Sequence, residues 1–211
     1  MSSSPHPASA SPAVAAPPSA KDQALQLARR AADGDAVATR ALVESVAPRV
    51  VRATRAVLGG GHPDVEDAVQ LSLIGFIQAL PSFRGECNPA LFAARIAVRT
   101  AGAVRRRSKA RHAGRDLSVD IDTIEGDGVD LAATRRRAVV RALLDELPEE
   151  QSEALALRFM LGWSLLEIAE TSGAPLNTVR SRLRLAKESL RRRVEAEPAL
   201  ADDFGLKEDE G

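Results

Sequence analysis

Alanine occupies 38 of the 211 positions and tyrosine none, and aromatic residues together make up only 3% of the chain. Alanine is the best helix former and a poor strand former, whereas strands favour aromatic and β-branched residues. The expected fold class is therefore all-α, and a β-sandwich or barrel is excluded. Hydrophobic residues reach 45%, enough to bury real cores, and the length suits one or two domains. A single cysteine, Cys87, rules out a disulfide framework and any Cys-rich zinc site, and reads as an ordinary thiol. His6, His62 and His112 are scattered, so no metal site and no cofactor are expected. No apolar run approaches the roughly 18 residues of a membrane span. The N-terminus lacks the basic start and Leu-rich core of a secretory signal, so a cytoplasmic protein is expected.

The net charge of zero hides a segregation of charge. Arg95 to Arg115 carries eight basic residues and no acidic one, and Asp116 to Asp130 carries six acidic residues and no basic one. Leu176 to Val194 carries seven basic residues and one acidic, and Glu195 to Gly211 carries seven acidic and one basic. Each basic block is a candidate phosphate-binding surface, against the plainer reading of a solvated helix face.

The chain divides by composition and periodicity. Its first twenty residues are almost entirely Ser, Pro and Ala without charge, so residues 1–21 are expected to be a disordered extension. A first domain, residues 22–107, opens with helical patterning that pauses at Asp33-Gly34-Asp35 and runs on to Leu58, with Pro48 expected to kink or break it. Gly59-Gly60-Gly61-His62-Pro63 is a loop without the Gly-Lys-Ser/Thr ending of a phosphate-binding loop. Asp64 is the expected N-cap of a helix whose inward positions are Val65, Val69, Leu73, Phe76, Ile77 and Leu80. Phe83-Arg84-Gly85-Glu86 is a turn, and a helix from Pro89 to Arg107 follows with Leu91, Phe92, Ile96 and Val98 inward. Residues 108–130, glycine-containing and charge-switching, are expected to be a flexible linker, and residues 195–211 an acidic tail.

Residues 131–194 form the expected second domain. It has a helix over Leu131–Leu147, another opened by Pro148, and a short helix started by the capping box Ser164-Leu165-Leu166-Glu167. After the turn Gly173-Ala174-Pro175 comes a long helix from Leu176 to Val194, with Val179, Leu183, Ala186 and Leu190 inward. Trp163, at the turn after Gly162, reads as a packing residue. A short capped helix, a glycine turn and a second, arginine-loaded helix make a helix-turn-helix. Its second helix would enter the major groove, where arginine pairs with guanine and asparagine with adenine. Asn177, Thr178, Arg180, Ser181, Arg182 and Arg184 lie early enough to reach base edges, whereas Arg191, Arg192 and Arg193 would meet phosphate.

Three runs here, Leu147-Pro148-Glu149-Glu150-Gln151, Glu167-Ile168-Ala169-Glu170 and Thr178-Val179-Arg180-Ser181-Arg182-Leu183, resemble region 4 of the sigma-70 family, and within it the extracytoplasmic-function (ECF) group of RNA polymerase sigma factors. In the first domain, Asp64-Val65-Glu66-Asp67-Ala68-Val69-Gln70 resembles region 2.2. Phe83-Arg84-Gly85-Glu86 and Arg95-Ile96-Ala97, with Arg105-Arg106-Arg107, resemble regions 2.3–2.4. The resemblance implies a region 2-like helical bundle and a region 4-like helix-turn-helix that together confer promoter specificity on core RNA polymerase. It implies that Glu66, Asp67 and Gln70 dock on the clamp helices of the polymerase β′ subunit, with the β flap as a further contact and an anti-sigma factor among the family's partners. It also implies that Arg84, Asn88, Phe92, Arg95, Arg99, Arg105 and Arg106 melt the −10 element and hold its bases, while the final helix reads the −35 element. Pattern alone places Phe92 in the core. No nucleophile, metal triad or supported carboxylate pair accompanies these motifs, so the protein is not expected to be an enzyme. Two other readings fit the same residues: an autonomous helix-turn-helix regulator, and a sigma-like protein that binds polymerase without melting promoters.

Overall fold

In the computed structural model, residues 19–111 and 131–196 are described; the expected N-terminal extension before Ser19, most of the expected linker and the acidic tail from 197 onward lie outside them. Among the described residues there are eight α-helices and no strand.

Helix α1 (Ala20–Ala32) starts within the segment expected to be disordered. Its cause is local: Ser19 and Asp22 form a capping box, in which the Ser19 hydroxyl accepts from the Asp22 N–H and the Asp22 carboxylate accepts from the Ser19 N–H. Asp35 caps α2 (Ala36–Leu58) by accepting from the Val37 and Ala38 N–H groups at 2.9 and 3.0 Å. This helix runs through Pro48 as one 23-residue element, so of the expected kink or break the break is absent. Leu42 and Val46 before the proline and Val50, Ala53 and Val57 after it are all buried, so packing on both sides outweighs one lost backbone hydrogen bond.

Helix α3 (Val65–Ala79) begins after Asp64, whose carboxylate makes no capping bond and instead accepts from Arg111 at 3.2 Å. Its inward face is Val65, Ala68, Ser72 and Phe76, with Val69 and Leu73 partly buried; Ile77 is 39% exposed and not a core residue. A 3-10 turn, Leu80–Ser82, closes it. Helix α4 (Pro89–Arg111) is four residues longer than expected. Leu91, Ala94, Ala97, Val98 and Ala101 are buried in it, and α4 packs along α2 and α3. Alanine at the contacts lets these helices approach closely.

The second cluster starts with α5 (Leu131–Leu144), shorter than the expected helix to Leu147. Pro148 opens α6 (Glu149–Leu155), which continues into a π-helical turn over Ala156–Met160. Helix α7 (Leu165–Ser172) has the expected capping box, Ser164 and Glu167 bonding reciprocally at 3.1 and 2.8 Å. Gly173 ends α7 at φ 65°, a left-handed conformation that glycine adopts without steric cost. Helix α8 (Leu176–Ala196) buries Val179, Leu183, Ala186 and Val194 against α5, α6 and α7. Trp163 is buried, as its packing role requires.

The two clusters are in contact. Helix α4 packs on α6 and α7, and Arg141 of α5 donates to the carbonyl of Ala56 in α2 at 3.0 Å.

Candidate nucleic-acid interface

The helix-turn-helix presents one open basic surface. Asn177, Arg180, Ser181 and Arg184 are exposed along the first half of α8, opposite the buried Val179, Leu183 and Ala186. Arg180 donates to the Asn177 side-chain oxygen at 2.9 Å, and Arg184 lies 3.7 Å from Glu188. Thr178 is half-buried. Arg182 differs from its neighbours: it turns toward α6 and pairs with Glu150 at 2.7 Å. Further along, Arg191 pairs with Glu195 and Arg193 with Glu146. The turn that orients α8 is built locally, since the Pro175 carbonyl accepts from the Thr178 and Val179 N–H groups.

The basic face of α4 is covered. Arg95 pairs with Glu153 of α6 and donates to the Thr171 carbonyl of α7 at 3.2 Å. Arg99 pairs with Glu149 at 2.7 Å and approaches Glu153 at 3.9 Å. Arg105 pairs with Asp145 at 2.9 Å, and Arg106 lies 4.0 Å from Glu149. Asp145, Glu149 and Glu153 stand at steps of four and form a carboxylate ridge against this arginine stripe. A polar cavity of about 180 Å³ lies in the seam, lined by Arg95 and Arg99 from α4 and by Glu149, Glu150, Glu153, Ser172 and Arg182 from the second cluster. Sequence reasoning took 108–130 as a flexible linker and gave these three carboxylates no role. Their four-residue spacing was the available signal.

The other residues assigned to the −10 element are dispersed. Arg84 is exposed on its turn, 4.0 Å from Glu86. Asn88 is committed to the start of α4, where its side-chain oxygen accepts from the Ala90 N–H at 2.8 Å. The Phe92 ring is half-buried, stacked on Phe83 with centroids 4.9 Å apart and tilted against Phe76 at 6.2 Å. That is an aromatic packing cluster, in line with the pattern-based placement.

On α3, Glu66, Asp67 and Gln70 are exposed on one face. Leu71 and Ile74 lie beside them, 49% and 50% exposed. With Ile77 at 39%, they leave a short apolar strip open on the exposed face of α3, of the kind a partner surface covers. Sequence reasoning assigned Leu71 no role there.

Cys87 is buried at the seam between the clusters, and burial pushes its thiol pKa up. It is an inert thiol in this arrangement. Among the described residues no group of acidic, His or Cys side chains is placed to hold a metal ion, and no helix is long and apolar enough to cross a membrane.

Comparison with known proteins converges on one family. Residues 42–111 match the family Sigma-70 region 2, and residues 137–190 match Sigma-70, region 4. The chain is 31% identical over 183 residues to the ECF RNA polymerase sigma-E factor of Salmonella typhimurium strain LT2, covering 80% of this chain and 93% of the relative. It is 30% identical, with the same coverage, to the protein of that name from Escherichia coli strain K12. Among solved structures, CnrH in complex with the cytosolic domain of CnrY superimposes with a TM-score of 0.52 at 24% identity, covering 83% of this chain and 99% of that one, which is a likeness of fold. Two family matches in the order region 2, region 4, running from within α2 to the end of α4 and from within α5 into α8, together with the ECF relatives, leave one conclusion: the chain belongs to the ECF group of the sigma-70 family of RNA polymerase sigma factors.

Proposed function

We propose that this chain binds core RNA polymerase, directs it to specific promoters by reading a −35 element with α8 and a −10 element with α4, and promotes the DNA opening that starts transcription. The observation that carries this reading is the exposed row Asn177, Arg180, Ser181 and Arg184 on a helix seated by a capped α7 and a glycine turn. A helix presented in this way fits the major groove, and these side chains can read base edges.

Docking on the β′ clamp helices falls to Glu66, Asp67 and Gln70, with Leu71 and Ile74 supplying the apolar contact. The β flap meets the second domain, and an anti-sigma factor is the expected regulator, as both are for the family. The domains that do this work are residues 22–107 and 131–194, acting in the cytoplasm. Strand opening is driven by binding energy to separated bases, each stacked base contributing on the order of 1–3 kcal/mol, and not by bond chemistry. Arg84, Arg95, Arg99, Arg105 and Arg106 supply the cationic track that single-stranded DNA requires. Asn88 and Phe92 act by fixing the start of α4 and the aromatic cluster behind it.

The decisive experiment is run-off transcription from a promoter selected from the source genome, using core polymerase with and without this chain. Transcripts that appear only with both proteins support the reading. Specific, tight operator binding by the chain alone, without transcription, would favour an autonomous regulator.

A further inference from the structure

The face of α8 assigned to the −35 element carries one large side chain that makes no hydrogen bond. Leu185, next to Arg184, is 38% exposed. Of the four leucines in α8, Leu183 is buried, Leu176 and Leu190 are half-buried against the core, and Leu185 alone lies on the surface. We infer that Leu185 is a specificity-determining residue. It packs on the C5 methyl group of a thymine in the major groove and makes an A·T pair part of the −35 element that this chain prefers. This rests on the reading of α8 as the −35 helix, and it adds the base that one position of the helix selects.

Three observations carry it. At 3.6 residues per turn, the open face of α8 divides into two rows. Asn177, Arg180, Arg184 and Glu188 make a hydrogen-bonding row, tied by the 2.9 Å bond from Arg180 to Asn177 and by the 3.7 Å approach of Arg184 to Glu188. Thr178, Ser181 and Leu185, at steps of three and four, make a second row beside it that carries no charge.

The cation that borders this second row is engaged elsewhere. Arg182 pairs with Glu150 of α6 at 2.7 Å, and its side chain is only 23% exposed. Both partners belong to the second cluster, so the pair does not depend on where α4 lies. The guanidinium of Arg182 is therefore committed to α6, which leaves the uncharged row open.

The chemistry of the groove supplies the match. The thymine methyl is the one apolar group on the major-groove edges of the four bases; the rest are hydrogen-bond donors and acceptors. A leucine set against guanine, adenine or cytosine strips water from a polar edge and returns no hydrogen bond. Against thymine it buries a methyl group, which is worth about fourfold in affinity. At a rise of 1.5 Å per residue, Leu185 lies about 7.5 Å beyond Arg180, or about two base-pair steps for a helix that follows the groove. The thymine is therefore expected, on either strand, at about that distance from the base that Arg180 reads.

The test uses the full chain bound to core RNA polymerase and a promoter library randomised over the −35 element. Bound DNA is selected and sequenced for the wild type, Leu185→Ala, Leu185→Gln and Arg180→Ala. In the sequence that the wild type prefers, each thymine of the element is then replaced in turn by deoxyuridine, which lacks only the C5 methyl. Binding to each is measured for the wild type and both Leu185 variants. Thermal melts are expected to be nearly unchanged, because Leu185 is exposed. Leu185→Gln, which keeps the size of the side chain, carries the comparison if Leu185→Ala melts early.

One thymine is expected at which deoxyuridine weakens wild-type binding about fourfold and Leu185→Ala binding less than about 1.5-fold. Leu185→Gln is expected to shift selection at that base pair to adenine on the contacted strand, since glutamine pairs with adenine N6 and N7. A methyl dependence as strong in the Leu185 variants as in the wild type would overturn the role of Leu185. So would a lack of methyl dependence at every thymine while Arg180→Ala still alters base preference; α8 would then remain the −35 reader. Base preference left unchanged by Arg180→Ala and by both Leu185 variants, or no −35 sequence selected at all, would overturn the reading of α8 itself and this role with it.

Discussion

The Nε of Arg95 on α4 donates to Oε1 of Glu153 on α6, joining residues 58 apart in sequence and the two halves of the protein. Neither side chain has an equal substitute nearby. Among the described residues, Arg95 keeps only the Thr171 carbonyl, and Glu153 only Arg99 at 3.9 Å.

A double-mutant cycle on this pair therefore has a definite expectation. Arg95→Ala and Glu153→Ala should each destabilise the protein to guanidinium, and the double variant should lose less than their sum. The coupling expected for contacting charges in one network is about 0.5–3 kcal/mol. A coupling below about 0.3 kcal/mol, within the additivity of independent sites, would mean the pair does not form in solution.

Within the recognition helix the structure separates arginines that the sequence treats alike. Arg180→Ala or Arg184→Ala in holoenzyme should cost about 1–3 kcal/mol on the preferred −35 element and flatten discrimination at one or two positions. Arg182→Ala should have a smaller effect on base preference, since Arg182 is held by Glu150. Arg192→Ala should weaken all sequences alike and lower the salt slope by at most about one unit. Binding to a panel of −35 variants at several salt concentrations distinguishes these outcomes. Unchanged base preference in both Arg180→Ala and Arg184→Ala would remove α8 from the reading role.

Helix α3 offers a contrast between two apolar residues on one element. Ile74→Glu, at a half-exposed position, should leave the melting temperature nearly unchanged and weaken core polymerase binding at least tenfold. Phe76→Ala, at a fully buried position, should cost about 3–5 kcal/mol of stability through the cavity it leaves. Surface-plasmon binding to core enzyme together with thermal melts checks both. Normal polymerase affinity in Ile74→Glu would place the docking face elsewhere.

The capping box of α7 predicts a pH dependence. Hydrogen bonds from the Ser164 N–H and hydroxyl hold the Glu167 carboxyl below its usual pKa. A carboxyl whose folded pKa is depressed binds fewer protons folded than unfolded. Its stabilisation is thus present above the ordinary glutamate range near about 4.3 and is lost as pH falls through and below it. Ser164→Ala should cost about 1 kcal/mol at neutral pH and progressively less in acid. Urea melts of wild type and variant at pH 7 and pH 3.5 test this; an equal cost at both values would show that the box does not titrate with folding.

Much of this protein is legible without coordinates because its determinants are local. The all-α class follows from alanine, and the Ser164–Glu167 box, the Gly173 turn and the buried Val179-Leu183-Ala186 stripe all act within a few residues of sequence. Errors fell at the margins of such patterns. Periodicity defines a helix face but not its edge, so Ile77 was placed inside when it lies outside. Of the kink or break expected at Pro48 the break is absent, because buried residues on both sides carry α2 through it.

What the sequence by itself determined, then, is which segments become helices, where the caps lie, and that α8 presents arginines on one face, since all of these are set by interactions over three or four residues. What only the tertiary structure decided is which charges meet. Arg95 with Glu153 and Arg105 with Asp145 are separated by 58 and 40 residues, and no periodicity links them. They come together because α4 packs on α6, and that contact depends on the summed burial of many residues from both halves, a quantity no local pattern encodes.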